Sequence, residues 1–187
     1  MTRLTIEPLS PDGAIRRVLR HPISDVRGSF TRLFCDEELA GAGWIGHIRQ
    51  ANLSMTARAG TIRGMHFQRP PHAETKLVLC LRGRVWDVAV DVRQGSPHFL
   101  NSWSSELSAT NGVALLIPPG FAHGFQTLSD DVELLYLHSA IYVPAAEDGL
   151  NPLDPRLSIA WPLDVTEMSD RDLKRPALSV GYEGIAL

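Results

Sequence analysis

The sequence predicts an all-β protein whose short strands close into a sandwich or barrel, and three observations carry that expectation. Residues Val85-Trp86-Asp87-Val88-Ala89-Val90-Asp91-Val92 alternate with a period of two. Val85, Asp87, Ala89 and Asp91 therefore share one face, and Trp86, Val88, Val90 and Val92 the other. Turn-forming residues punctuate the chain at short intervals, at Arg82-Gly83-Arg84, Gln94-Gly95-Ser96-Pro97 and Pro118-Pro119-Gly120. Helical patterning is confined to two short stretches. Strands this short, turning this often, bury their apolar faces only by closing on one another.

Strand signals run from about residue 14 to residue 143. Cys35-Asp36-Glu37-Glu38-Leu39-Ala40-Gly41 interrupts them as a short helix, with acidic residues in its first turn and a glycine stop. Thr75 to Leu81 is apolar and β-branched, and the Arg82-Gly83-Arg84 turn joins it to the alternating run at 85–92. Further strands are expected at Val113 to Ile117 and at Glu133 to Tyr142, stopped by Pro118 and Pro144 respectively. Residues 144–168, with Pro144, Pro152, Pro155 and Pro162, read as an irregular arm; Ile159-Ala160-Trp161 within it asks to be packed against something. Ser169 is placed to cap a second short helix through Leu173. From about Gly181 the chain reads as a frayed tail. The expected organisation is one domain over 1–187, with 144–187 as a C-terminal arm on the barrel.

Composition narrows the function classes. The 187 residues are 44% hydrophobic and 21% charged, enough to bury a core without disulfide or metal support. A net charge of -3 argues against a general nucleic-acid surface, which needs clustered excess Lys and Arg. No N-terminal apolar run resembles a signal peptide and no stretch approaches a membrane span, so the expected compartment is the cytoplasm. Cys35 and Cys80 sit singly in apolar runs and read as free thiols.

Chemistry concentrates in Gly60-Thr61-Ile62-Arg63-Gly64-Met65-His66-Phe67-Gln68 and the Lys76-Leu77-Val78 that follows. A histidine beside fixed positive charge suits removal of a proton from carbon next to a carbonyl: the base takes the proton, and the cations hold the enolate oxygen that forms. An ordinary polar lining would use the same residue types.

Further segments, in order, settle the comparison with known families. They are Asp25-Val26-Arg27-Gly28-Ser29-Phe30, Gln50-Ala51-Asn52-Leu53-Ser54, Asp87-Val88-Ala89-Val90-Asp91, Ile117-Pro118-Pro119-Gly120-Phe121-Ala122-His123-Gly124-Phe125, Leu135-Tyr136, Trp161-Pro162 and Asp170-Arg171-Asp172. With the His66 block among them, this ordered set resembles the dTDP-4-dehydrorhamnose 3,5-epimerase family, the cupin-type nucleotide-sugar epimerases, over most of the chain. The resemblance implies a cupin-type jelly roll, a homodimer in which the Arg27 strand crosses the interface, and a nucleotide-sugar substrate. It also implies epimerisation at C3, C5 or both of a 4-keto-6-deoxy sugar through enolates, in deoxysugar biosynthesis, with neither cofactor nor metal. His66 matches the family's base, Asp172 the acid that orients it, Lys76 the cation at the C4 carbonyl, and Tyr136 the acid returning a proton from the opposite ring face. Arg27, Arg63 and His123 match residues around the diphosphate and sugar, Gln50 and Asn52 substrate contacts, and Tyr142 a second aromatic near the sugar. Glu147 and Arg171 fall at further substrate contacts, and Phe30 lies in the nucleotide-contacting segment.

One position departs. Two residues beyond Phe30 the better-known rhamnose enzymes carry a glutamate against the nucleobase, where this chain has Arg32. A carboxylate accepts hydrogen bonds and guanidinium only donates, so the nucleotide stays open. Two other readings stand beside the epimerase. A metal-dependent cupin, dioxygenase or isomerase, would draw on His66, His72, Glu74 and His123, although the residue two beyond His66 is Gln68, a poor ligand. A sugar-binding cupin without chemistry would not need a base, an orienting acid, a lysine and a tyrosine together. His138 shares the alternation of Tyr136 and carries no assigned role.

Overall fold

A computed structural model describes residues 3–187. Thirteen strands follow in chain order. They are β1 (Leu4–Pro8), β2 (Arg16–Arg20), β3 (Ile23–Asp25), β4 (Gly28–Phe30), β5 (Gln50–Thr56), β6 (Ile62–Gln68) and β7 (Lys76–Arg82). The remainder are β8 (Arg84–Asp91), β9 (Ser102–Ser108), β10 (Val113–Ile117), β11 (Phe121–Thr127), β12 (Val132–His138) and β13 (Glu147–Gly149). Two short helices, α1 (Asp36–Ala40) and α2 (Asp170–Leu173), fall where the acidic first turn and the Ser169 cap predicted them. Ser169 Oγ accepts the Asp172 N–H.

A six-stranded sheet, β1-β2-β10-β7-β12-β5, faces a five-stranded sheet, β13-β6-β11-β8-β9, with antiparallel pairing throughout. The alternation of β8 decides what fills the space between them. Val85 and Ala89 enter the inter-sheet core with Val78, Leu115, Phe121, Phe125 and Leu134. Val88, Val90 and Val92 point the other way, under Leu150, Leu157 and Ile185 of the C-terminal segment. The outer face of the six-stranded sheet is closed by Leu39 of α1 and by Trp44. Burial of these side chains supplies the main driving force, about 1.5–3 kcal/mol each. Cys80 belongs to the inter-sheet core, where burial pushes its thiol up to about 11; Cys35 is half-buried, and both cysteines are free.

Four expectations need correction. The tail from Gly181 is not frayed: Ile185 is buried, its N–H donates to Val92 O, and its carbonyl accepts the Gln94 N–H. The apolar face of β8 needs that lid. The segment read as an irregular arm is not wholly irregular, because β13 joins the five-stranded sheet beside β6. The strand expected to reach Tyr142 stops at His138, and residues 139–143 leave the sheet to let Gln68 accept the Val143 N–H at 2.7 Å. Strands also begin earlier than residue 14, at Leu4. Among the described residues no helix is long and apolar enough to cross a membrane.

The β3–β4 hairpin stands apart from both sheets, and all six of its strand residues are exposed. Ile23 and Phe30 point into solvent, as does Val26 at the turn. The edge strand β5 exposes Leu53 and Met55.

Candidate active site

A cleft of about 270 Å³ opens between the two sheets. One wall is β6 and β11, the other β5, β7 and β12, and the predicted residues Asn52, Arg63, His66, Lys76, His123, Tyr136, Tyr142 and Glu147 all line it. The β6–β11 wall is unusually tight. A Cβ on Gly64 would lie 2.5 Å from the Gly124 Cα and 2.8 Å from the His123 carbonyl oxygen, and Gly64 has φ +129°. Only glycine tolerates both the conformation and the contact. The pairing sets His66 directly opposite His123, immediately before a break in register.

His66 Nε2 lies 2.7 Å from Asp172 Oδ1, and the imidazole keeps about a third of its exposure while the carboxylate is buried. Its other ring nitrogen has no protein partner among the described residues. Burial raises the Asp172 carboxyl, but the bonds from His66, Ser169 and the Gly64 N–H outweigh it and hold the group below the ordinary carboxylate range. An ionised partner of this kind fixes the imidazole tautomer and supports the imidazolium that forms when the ring takes a proton.

Lys76, on β7, reaches the same space with Nζ 3.3 Å from Glu74 Oε1 and 3.4 Å from the His66 carbonyl oxygen. Tyr136, on β12, faces His66 from the opposite sheet. Burial, then the charge of Asp87, raises its phenol far above the usual value, so it stays protonated and can act only as an acid at neutral pH. His123 is clamped by Asp87, with Nε2 3.0 Å from each carboxylate oxygen. Burial raises the Asp87 carboxyl against the pull of His123 and Lys76. Arg63 Nη1 bonds Ser54 Oγ at 3.2 Å. Glu147 accepts from the Tyr142 hydroxyl and from Arg171, whose Nη2 is 2.8 Å from Oε1. Gln50 lies just outside the lining and accepts the Tyr142 N–H at 2.8 Å.

Arg27, Phe30 and Arg32 are not brought to the cleft within one chain. Arg27 pairs with Asp25 on the exposed hairpin, Nη2 to Oδ2 at 2.5 Å. Arg32 pairs with Glu38 of α1, and the same carboxylate accepts the Arg3 and Leu4 N–H groups at 2.9 and 2.8 Å. The four residues weighed as metal ligands do not converge. His72 offers its carbonyl to Gln68, Glu74 is held by Lys76 and His138, and His123 by Asp87.

The profile of the dTDP-4-dehydrorhamnose 3,5-epimerase family matches residues 14–179. The chain belongs to that family. Its relatives include a dTDP-4-dehydrorhamnose 3,5-epimerase of Sinorhizobium fredii, 40% identical over 169 residues, covering 88% of this chain and 85% of the relative. A dTDP-4-dehydro-6-deoxyglucose 3-epimerase of Streptomyces bikiniensis is 38% identical over 180 residues, covering 93% and 89%. Among solved structures, a 3,5-epimerase of Legionella pneumophila in complex with dTDP-4-keto-L-rhamnose superposes with a TM-score of 0.87 at 33% identity, covering 93% and 92%. The jelly roll expected of a cupin-type epimerase is thus the fold of this chain.

Within the epimerase cleft, sequence reasoning passed over Glu74 as a partner of Lys76 and Asp87 as the anchor of His123. Each left a trace. Glu74 stands two residues before Lys76, and Asp87 is an acid on the inward face of an alternating strand. His138 was visible only as sharing a face with Tyr136, and it does line the cleft.

Proposed function

We propose that the protein inverts C3, C5 or both of a dTDP-linked 4-keto-6-deoxyhexose, as an epimerase of deoxysugar biosynthesis. The observation that carries this reading is the placement of an Asp172-anchored His66 on one sheet and a protonated Tyr136 on the facing sheet, with Lys76 lining the same cleft. A ketone at C4 makes the neighbouring C–H bonds acidic. His66 removes such a proton, and the negative charge that moves onto the C4 oxygen is held by the Lys76 ammonium. Tyr136 returns a proton from the opposite face, so the configuration inverts. A single base would hand the proton back where it came from. Arg63 and His123 line the same cleft as ligands for the sugar and diphosphate, and Asn52, Tyr142 and Glu147 complete its walls, with Gln50 and Arg171 behind them.

The ketone supplies the acidity, so this reaction asks for neither cofactor nor metal. The thymidine nucleotide is the one named for the relatives. The working form is a homodimer. A lone two-stranded hairpin is marginal in water, and a second copy would give β3–β4 a surface to cover its exposed Ile23, Val26 and Phe30. Docked there, Arg27 would complete the partner's site. A cytoplasmic setting suits a nucleotide-sugar substrate.

The test is incubation of the protein in deuterated water with a panel of 4-keto-6-deoxy sugars on TDP, UDP, CDP and GDP. Deuterium entering C3 or C5 with inversion is expected. Absence of exchange from every member would leave a sugar-binding protein without chemistry.

A further inference from the structure

The Tyr136 wall holds side chains to which no part in the reaction has yet been assigned. Tyr136 is flanked by two imidazoles. His123 meets it edge-on, with centroids 6.0 Å apart at 71°, and His138 lies offset and nearly parallel at 6.1 Å and 22°. Both distances and angles are those of attractive ring contacts. A carboxylate anchors each imidazole, Asp87 for His123 and Glu74 for His138, the latter with Nδ1 3.0 Å from Oε2.

His138 is also held at its second nitrogen, and the direction of every bond in that chain is fixed. The Tyr142 N–H donates to Gln50 Oε1 at 2.8 Å, which turns Gln50 Nε2 toward Asn52 Oδ1 at 3.3 Å. Asn52 Nδ2 is then left to face His138 Nε2 at 3.4 Å. An amide nitrogen only donates and a carboxylate only accepts, so the His138 proton sits on Nδ1, pointing at Glu74. The other Glu74 oxygen receives Lys76 Nζ at 3.3 Å. Side-chain exposure is 7% for Glu74, 11% for Lys76 and 14% for His138, so these contacts act with little competition from water.

We propose that His138, locked by Glu74, is a positioning residue that holds the Tyr136 phenol in register for returning the proton. This rests on Tyr136 being the returning acid in the function above. The edge contact from His123 alone leaves the phenol free to tilt, and the nearly parallel His138 ring adds a second restraint. Because Glu74 joins the clamp to Lys76, one carboxylate sets both the cation at the enolate oxygen and the plate behind the acid. A displacement of about 1 Å at a reacting group can cost about 100-fold.

The experiment follows deuterium incorporation and inversion in the same reaction with the full chain, for His138→Ala, His138→Phe, Glu74→Ala and Tyr136→Phe. His138→Ala is expected to keep exchange within about 3-fold while inversion per exchange falls about 10- to 100-fold. His138→Phe keeps a flat ring and loses both nitrogens; most of the inversion should return. Glu74→Ala should lower inversion per exchange as His138→Ala does, and exchange as well, because Lys76 loses its partner. A native inversion-to-exchange ratio in His138→Ala or in Glu74→Ala would overturn the proposal, as would a His138→Phe no better than His138→Ala. If His138→Ala fails to fold, His138→Leu against His138→Phe puts the same question, bulk without a plane against a plane. Tyr136→Phe separates the two levels. Retained inversion there removes Tyr136 as the acid, whereas its loss beside an unaffected His138→Ala removes only the role of His138.

Discussion

Replacing Asp172 by Asn probes the proton-abstracting pair with almost no change of volume. The carboxylate lies 2.7 Å from His66 Nε2 and keeps 4% side-chain exposure, so the bond is short and largely dry on one side. A hydrogen bond to a charged group contributes about 1.5–3 kcal/mol, which at about 1.4 kcal/mol per decade is one to two powers of ten in rate. Coulomb attraction between imidazolium and carboxylate adds to this, discounted because His66 is one-third exposed and partly screened. The orientation of the new amide sets the rest. With its oxygen toward His66 only the charge is lost; with its nitrogen there, the ring must accept, its proton moves to the other nitrogen, and the base is blocked. The expected loss of deuterium exchange is therefore about 10²- to 10⁴-fold. Stability gives a second check. The Asp172 carboxyl is lowered in the folded state, so its contribution is full above the ordinary value of 3.8 and disappears as pH falls through the lower folded value. Native and Asp172→Asn melting curves should differ most near neutrality and converge in that acid range. Exchange by Asp172→Asn within about 3-fold of native would refute the pairing as a working part of the base.

Other outcomes follow from the same geometry. His66→Ala should abolish exchange at both C3 and C5 while leaving the melting temperature and TDP binding nearly unchanged, read by mass spectrometry and calorimetry. Tyr136→Phe removes one hydroxyl, so exchange should persist and net inversion collapse; equal loss of both would assign Tyr136 to binding or enolate formation instead. Arg32 bonds Glu38 rather than the cleft of its own chain, so Arg32→Gln is a gentler probe than Arg32→Glu, which would set two carboxylates together. If Arg32 meets the nucleobase of a partner site, dissociation constants for TDP, UDP, CDP and GDP should change their ranking in Arg32→Gln, and an unchanged ranking places it outside base recognition. Phe30→Ser should shift the sedimentation equilibrium toward monomer and lower activity in step, since the hairpin is exposed in the single chain.

Much of this was legible in residues whose meaning is local. The period-two run at 85–92 fixed its own faces, because successive strand side chains must diverge, and the inter-sheet core duly receives Val85 and Ala89. Ser169 announced α2 through a single hydroxyl. His66, Lys76 and Tyr136 could be gathered into one site only through their resemblance to a known family, since the pairings that bring them together span many residues. What stayed hidden depended on distant partners. Ile185 reads as tail until Val92, far back in the chain, supplies its hydrogen bond. Glu74 reads as one of four candidate metal ligands until His138 and Lys76 close on it from β12 and β7. Arg32 shows the limit from the other side: its residue type flagged a departure, and its actual bond is to a helix six residues on.

The two glycines pressed together at Gly64 and Gly124 leave one wall of the cleft with no room for a side chain at their contact. Any side chain at either position would prise apart the strands that aim His66. The facing wall carries no such lock, and β5 is its outermost strand. The backbone that aims His66 is thus closed to added side chains at this contact, whereas β5 and β12 meet no glycine contact of that kind. A laboratory library meant to redirect the stereochemical outcome belongs on β5 and β12; the same diversity spent around Gly64 would mostly return protein that does not fold.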